Sequence, residues 1–334
     1  MEKIDFVITW VDGSDPEWLN EKERYLKLER GQFFKDSSAS RYRDWNNLQY
    51  WFRGVEKYAP WVNKIYFVTW GHVPKWLNVN HPKLVIVKHE DYIPSEYLPT
   101  FSANVIENNF HRIKDLSETF VYFNDDIFLI KKTKPTDFFK NLKPVDTAVL
   151  NVHCYSKSET LLMTPIVDIG IINEHFKLKE VLNNNFFKWF NPFYGKGLLQ
   201  NMILSFCPRF PGMVQYHLAA SLLKNTYVEI WDKEYEVLNN TCSNKFRCTT
   251  DVNQWLFREW QLAKGEFVTR KGKLGRSFGI NRGIKDIISY IEKRKGKMVC
   301  INDADITYEQ FEEYKREINS VFVKLFPDKS EYEL

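Results

Sequence analysis

The apolar positions of the chain fall into two rhythms. Short, nearly unbroken runs of Val, Ile, Phe and Tyr recur in "KIDFVITW", "NKIYFVTW", "KLVIVKH" and "TFVYFNDD". Runs of that length, rich in β-branched and aromatic residues, predict buried strands. Between them the period changes. Residues 43–61 carry Leu48, Trp51, Phe52 and Val55 at helical spacing, with Pro60 near the end, and predict a helix. Asp12-Gly13-Ser14-Asp15-Pro16 is turn chemistry, and a helix is expected to start beside Pro16 with Glu17 in its first turn. Residues 102–113 also read as helical. Strand and helix alternate, which predicts an α/β fold with a mainly parallel sheet. In such sheets ligands sit outside the carboxyl ends of the strands.

After residue 147 the rhythm loosens. A further strand is expected at 148–155. A helix end followed by a long aromatic, Asn- and Pro-rich loop is expected at 183–197, and a flexible surface loop at 272–283, with a phosphate-contacting lid as the alternative. Helices are expected at 219–224, 251–265 and 307–326, and a late strand at 297–305. There is no internal repeat and no low-complexity linker. The expected organisation is one catalytic unit over 1–334: an α/β core at 1–150, a mostly helical region at 151–296, and a returning strand and C-terminal helix at 297–334.

Composition narrows the function classes. Hydrophobic residues make up 44% and charged residues 27%, as in ordinary globular proteins. The 47 basic and 43 acidic residues nearly cancel, which argues against nucleic acid as a partner. Aromatics reach 16%, enough for a Phe-rich core and for stacking faces at a site. Cys154, Cys207, Cys242, Cys248 and Cys300 are odd in number and have no disulfide or zinc spacing, so a reducing compartment is expected. Glu2, Lys3 and Asp5 break any apolar leader, and no stretch is long enough to span a bilayer. The sequence therefore predicts a cytoplasmic protein, either free or peripheral to the inner face of the cell membrane.

The strongest chemical signal is Asp125-Asp126 at the end of an apolar strand. Adjacent carboxylates repel unless a cation or a shared proton intervenes. A hard divalent ion, Mg²⁺ or Mn²⁺, is held by one or two carboxylates plus substrate phosphates. The competing reading is a turn in which one Asp caps a following helix. Two other strand ends, Thr9-Trp10-Val11-Asp12 and Thr69-Trp70-Gly71-His72, are expected on the same rim.

Three stretches, "IDFVITWVDGSDP", "RYRDWNNLQYWFRGVEKYAPWVNKIYFVTWGHVPKWLN" and "LPTFSANVIENNFHRIKDLSETFVYFNDDIFL", resemble the first two conserved regions of the Stealth family. "YHLAASLLKNTYVEIW" through "KFRCTTDVNQWLFREWQLAKG" resembles its third region, and "MVCINDAD" its fourth. These are sugar-1-phosphate transferases of bacterial capsule synthesis, similar to the animal N-acetylglucosamine-1-phosphotransferase. The resemblance implies a GT-A/Rossmann-like core with a helical second half, and a Mg²⁺ or Mn²⁺ cofactor on Asp125 and Asp126. It implies transfer of a hexose-1-phosphate, N-acetylglucosamine-1-phosphate among the candidates, from a UDP-sugar to a hydroxyl of a free or lipid-linked glycan, with release of UMP. Trp10, Val11 and Asp12 match nucleotide-binding positions, and Arg53 a donor-binding Arg. His217 is expected as general base, with Asp126 as rival base or nucleophile. Arg247 matches an active-site Arg. Asn302 and Asp303 match an Asn-Asp pair suited to sugar hydroxyls. Two other functions share these residues: a metal-dependent glycosyltransferase that releases UDP, and a non-catalytic assembly subunit.

Overall fold

The computed structural model describes residues 3–28, 43–154 and 163–334. In chain order its strands are β1 (Ile4–Thr9), β2 (Ile65–Thr69), β3 (Leu84–Lys88), β4 (Thr119–Phe123), β5 (Ile127–Leu129), β6 (Phe139–Lys140), β7 (Lys143–Asp146), β8 (Ala220–Leu223), β9 (Val268–Thr269), β10 (Gly275–Gly279) and β11 (Met298–Asn302). Its helices are α1 (Pro16–Leu28), α2 (Leu48–Tyr58), α3 (Ala103–Asn108), α4 (Thr164–His175), α5 (Leu178–Asn184), α6 (Phe186–Trp189), α7 (Lys196–Leu204), α8 (Lys224–Lys233), α9 (Tyr235–Ser243), α10 (Gln254–Lys264), α11 (Lys285–Glu292) and α12 (Tyr308–Leu325).

The four apolar runs form the central sheet as the sequence predicts. Its order is β3-β2-β1-β4-β8, with parallel pairing from β3 to β4 and antiparallel pairing of β8 at the edge. The chain builds outward from β1 on one side, then returns to place β4 on the other. That reversal makes the β1/β4 boundary the topological switch point, where a crevice opens between the departing connections. Two three-stranded sheets, β10-β11-β5 and β6-β7-β9, flank this core.

Alternation along each central strand assigns its side chains to two faces. Phe6, Ile8, Ile65, Phe67, Val121 and Phe123 pack on one side with α2, α11 and α12. Val7, Tyr66, Val68, Phe120 and Tyr122 pack on the other with α3, α8 and α10. Sheet faces buried on both sides explain why these strands read as continuous apolar runs. Asp5 is the exception within β1. It is fully buried, and its carboxylate accepts from Asn63 Nδ2 (2.7 Å), Lys64 N (3.1 Å) and Ser117 N (2.8 Å). Those three donors tie the approaches to β2 and β4 to β1, so the buried charge fixes register. Gly54 lets α2 approach β5: a Cβ there would stand 2.8 Å from the Leu129 carbonyl oxygen.

Several expectations are corrected. The helix expected at 219–224 is replaced by the edge strand β8 over Ala220–Leu223, whose four residues are enough to pair with β4 but too few for a helix, and Lys224 begins α8. Of the strand expected at 148–155, the described residues 148–154 make a single bridge, Leu150 to Met213, and residue 155 lies outside the described residues. At 183–197 the expected helix end is that of α5 at Asn184, but the loop after it includes α6, and the loop expected at 272–283 includes β10. The helix expected over 102–113 stops at Asn108 and continues as a 3-10 turn, Phe110–Arg112.

Arg53 is also relocated. It stands on α2 away from the cleft described below, and its guanidinium grips both oxygens of Glu333 (2.7 and 2.6 Å) and the Phe326 carbonyl (2.8 Å). A planar five-donor fork matched to a carboxylate is a strong clamp when shielded from water. Here it closes the C-terminal segment onto the core. Arg53→Ala should therefore cost about 3 kcal/mol of stability by leaving Glu333 short of its partner. Denaturant unfolding will check this, and donor affinity of the folded protein should stay unchanged.

Candidate active site

A cleft of about 650 Å³ lies at the carboxyl ends of β1, β4 and β11. The ends contribute Thr9, Trp10 and Val11 from β1, Asn124, Asp125 and Asp126 from β4, and Asn302 and Asp303 from β11. The lining is completed by the segment before β8, which carries Gln215 and His217, and by the approach to α10, which carries Arg247. Of the sequence-predicted residues, Trp10, Val11, Asp125, Asp126, His217, Arg247, Asn302 and Asp303 line this one cleft, whereas Arg53 does not and Asp12 sits beside it.

Asp126 is the best-defined member. Its Oδ2 accepts from the Cys300 thiol (3.3 Å) and lies 4.0 Å from His217 Nε2. Its Oδ1 is buried and has no protein partner. Burial raises the pKa of Asp126, and His217 and the thiol pull it back down. Cys300 is itself pushed well up, first by burial and then by the Asp126 charge, so it stays a protonated donor. Asp125 is pushed up to about 7, first by desolvation and then by the charge of Asp126. Its carboxyl opens onto the water of the cleft although protein surrounds it closely. That exposure softens the desolvation part, while the repulsion from its neighbour persists.

His217 Nε2 lies 3.1 Å from Asn124 Nδ2. An amide nitrogen only donates, so this contact pairs it with the neutral ring that accepts through Nε2 and keeps its hydrogen on Nδ1. This is the tautomer a base needs on the cleft side. Asn124 belongs to the same polar strand end as the acidic pair in the sequence, and here it meets the imidazole.

Arg247 is held in position by two acids that sequence reasoning missed. Asp251 anchors its loop, accepting from Cys248 N (2.8 Å), Asn244 Nδ2 (2.8 Å) and Asn104 Nδ2 (3.0 Å). Glu107, buried on α3, accepts from the Tyr122 hydroxyl (3.0 Å), and its burial-raised pKa is drawn back chiefly by the Arg247 charge. Their signal in the sequence was weak: single acids among Asn-rich or Thr-rich stretches.

Trp10 follows the end of β1, with its ring 5.8 Å from Phe67 and 5.4 Å from His72. Asp12 shapes the turn beyond it. Its Oδ1 accepts from Ser14 N (2.9 Å) and Oγ (2.6 Å), and its own N–H donates to His72 Nε2 (2.7 Å). His72 thus enters as a support of the β1 turn. Asp303 is also engaged within the protein. It accepts from Arg43 Nη2 (2.6 Å), Arg43 Nε (3.1 Å) and Trp45 Nε1 (3.2 Å). The pairing brings Arg43, which the sequence reading passed over, to the cleft wall. Asn302 donates to Ser277 Oγ and accepts from the Cys300 thiol.

Asp126, His217 and Cys300 offer ligand atoms within 4.8 Å of one another. The thiol donates hydrogen bonds and stays protonated, which leaves a carboxylate-centred set with the orphaned Asp126 Oδ1 facing no protein donor. Such a set fits a hard divalent cation completed by other oxygen ligands.

This geometry can be set beside known proteins. Residues 2–29 match the model of Stealth protein CR1, conserved region 1, and residues 41–146 match that of CR2, conserved region 2. The chain is 46% identical, over its whole length and 98% of the relative's, to a capsular polysaccharide phosphotransferase WcwK of Streptococcus pneumoniae. The chain belongs to the Stealth family. It is also similar over its full length to the receptor polysaccharide phosphotransferase WefC of Streptococcus gordonii, at 39% identity and 100% of that protein. With the exopolysaccharide phosphotransferase cps2G of Lactiplantibacillus plantarum it shares 35% identity over 99% of this chain and 96% of the other. This Stealth protein is accordingly a transferase enzyme, and conserved region 2 spans β4 and the acidic pair. No helix among the described residues is long and apolar enough to cross a membrane.

The acidic pair has a direct test. Asp126→Asn removes the neighbouring negative charge, so the Asp125 midpoint should move down from about 7. Carboxyl-carbon NMR of Asp-labelled protein will record the shift, and an unmoved midpoint would show that the two groups do not interact.

Proposed function

We propose that this Stealth protein transfers a hexose-1-phosphate from a UDP-sugar to a glycan hydroxyl, building a phosphodiester into a cell-surface polysaccharide and releasing UMP. The observation that carries this reading is the meeting of an acidic pair, an imidazole and a guanidinium in the cleft of a chain whose full-length relatives are polysaccharide phosphotransferases.

In this reading the acceptor oxygen attacks the sugar-bearing phosphorus of the donor. The bond from that phosphorus to the bridging oxygen breaks, and UMP departs with the electron pair. The acceptor proton passes to His217 Nε2, which gives up its contact with Asn124 to receive it. The imidazolium so formed stands 4.0 Å from Asp126 Oδ2, whose negative charge favours it. Arg247 and Arg43, both lining the cleft, bring positive charge to the diphosphate. Trp10 offers an aromatic face to the uracil ring, with Val11 and the Asp12 turn beside it. Asn302 is suited to a sugar hydroxyl, whereas Asp303 acts by holding Arg43. Asp125 and Asp126 would hold Mg²⁺ or Mn²⁺, which supplies charge neutralisation for the diphosphate when bound. The reading implies a cytoplasmic site of action, where nucleotide sugars are available.

Product analysis tests the reaction. Purified protein, a panel of UDP-sugars and a defined glycan should give UMP and an acceptor heavier by one hexose phosphate; UDP as product would replace the proposal with glycosyl transfer. His217→Ala should lower kcat by about 10²–10⁴-fold with little change in the donor KM; a pure KM effect would deny it the role of base. A chelator should abolish turnover, and Mg²⁺ or Mn²⁺ should restore it. Asp125 is neutral below its raised pKa and charged above it, and a cation takes only the charged form. Affinity for Mn²⁺, measured calorimetrically, should thus rise about tenfold per pH unit up to about 7 and level off beyond.

A further inference from the structure

Helix α7 is built inside out. Leu199, Met202 and Ile203 are 60%, 52% and 62% exposed, and Phe206 just past the helix end is 87% exposed. Their spacing, i, i+3, i+4 and i+7, follows one helical stripe. The side chain that the helix buries is instead the amide of Asn201, which is 0% exposed. Asn201 Oδ1 accepts from Leu150 N (2.7 Å), and its Nδ2 donates to the carbonyls of Ala148 (2.9 Å) and Trp189 (2.6 Å). Turning the stripe inward would orphan all three partners, so the outward orientation is fixed by the fold. Phe187 and Phe193, in the segment leading to the helix, are exposed as well.

The charge along this stretch of the chain is one-sided. Residues 181–228 contain no Asp or Glu, although the chain carries 43 acids in 334 residues. The same segment holds Lys188, Lys196, Arg209 and Lys224. Lys196 and Arg209 are exposed and bracket the stripe in sequence. Contiguous exposed apolar surface calls for an occupant. A second copy of the chain would bring like charge against like charge. An anionic bilayer meets both features, taking apolar and aromatic side chains into its acyl boundary and cations at its headgroups.

We propose that α7 and Phe206 dock this protein onto an anionic lipid surface. From the docked helix the chain passes through the Leu150–Met213 bridge to Gln215 and His217 at the cleft wall. Docking would therefore hold the His217 segment, a few residues further along the chain, near the bilayer, where a lipid-linked glycan presents its hydroxyl. That purpose rests on the proposed reaction; the docking itself does not.

Vesicle flotation tests it, with phosphatidylcholine alone and with about 30% phosphatidylglycerol added. Wild type should float with the mixed vesicles and much less with the neutral ones. The triple variant Leu199→Ser, Ile203→Ser, Phe206→Ser should need about tenfold more lipid for half-binding. Lys196→Glu with Arg209→Glu should erase the preference for anionic lipid. Both variants should keep the wild-type Tm and wild-type turnover of a short water-soluble acceptor. Wild type that ignores both vesicles, a triple variant that binds as wild type does, or a dimer in light scattering that the triple variant splits would each overturn the docking. Turnover of the soluble acceptor without flotation would sink this inference alone, whereas flotation without turnover of any UDP-sugar would sink the proposed reaction alone.

Discussion

Two carboxylates on consecutive residues, at the end of a fully buried strand, set the terms for the rest of the site. β4 is held on both sides by β1 and β8 and packed on both faces, so it offers Asp125 and Asp126 no freedom to separate. Asp126 leaves one oxygen without a protein donor and brings the other to a thiol and an imidazole. Negative charge of this kind is matched in the same cleft by two guanidiniums, Arg247 and Arg43. The position of the pair follows from strand order. At the β1/β4 boundary the chain connections part, which opens the cleft at the strand ends.

The supporting shell is itself polar and almost wholly internal. Asp251 fixes the loop of Arg247, Asp303 fixes Arg43, and His72 accepts from the backbone of Asp12. Each of these groups spends its hydrogen bonds on another protein group, which orders the cleft before any substrate arrives. Arg53 shows the same chemistry put to a different use. Its fork meets Glu333 on the far side of α2, where the pairing closes the C-terminal segment and touches nothing in the cleft.

The region between residues 163 and 224 departs most from the sequence-based picture, and it is where the protein presents itself to its surroundings. A polar anchor, Asn201, dictates which face of α7 is outward, and apolar side chains are left on that face. A periodicity argument applied to α7 alone would place that stripe in the core, because apolar spacing says which residues share a face but not which way the face points.

The sequence by itself determined the central strands, the helix over Leu48–Tyr58 and the parallel α/β character, because runs buried on both faces must be continuously apolar. It also marked the acidic pair, since two adjacent anions after such a run need a chemical reason. The tertiary structure alone decided the rest. Whether Arg53 or Arg43 faces the cleft depends on which carboxylate each meets about 260–280 residues away, Asp303 for Arg43 and Glu333 for Arg53. Whether 219–224 is helix or strand depends on the open edge of β4, a neighbour about 100 residues earlier. Short-range pattern reports the local backbone and its buried side; the partners of charged groups and edge strands are long-range pairings that appear only when the chain closes on itself.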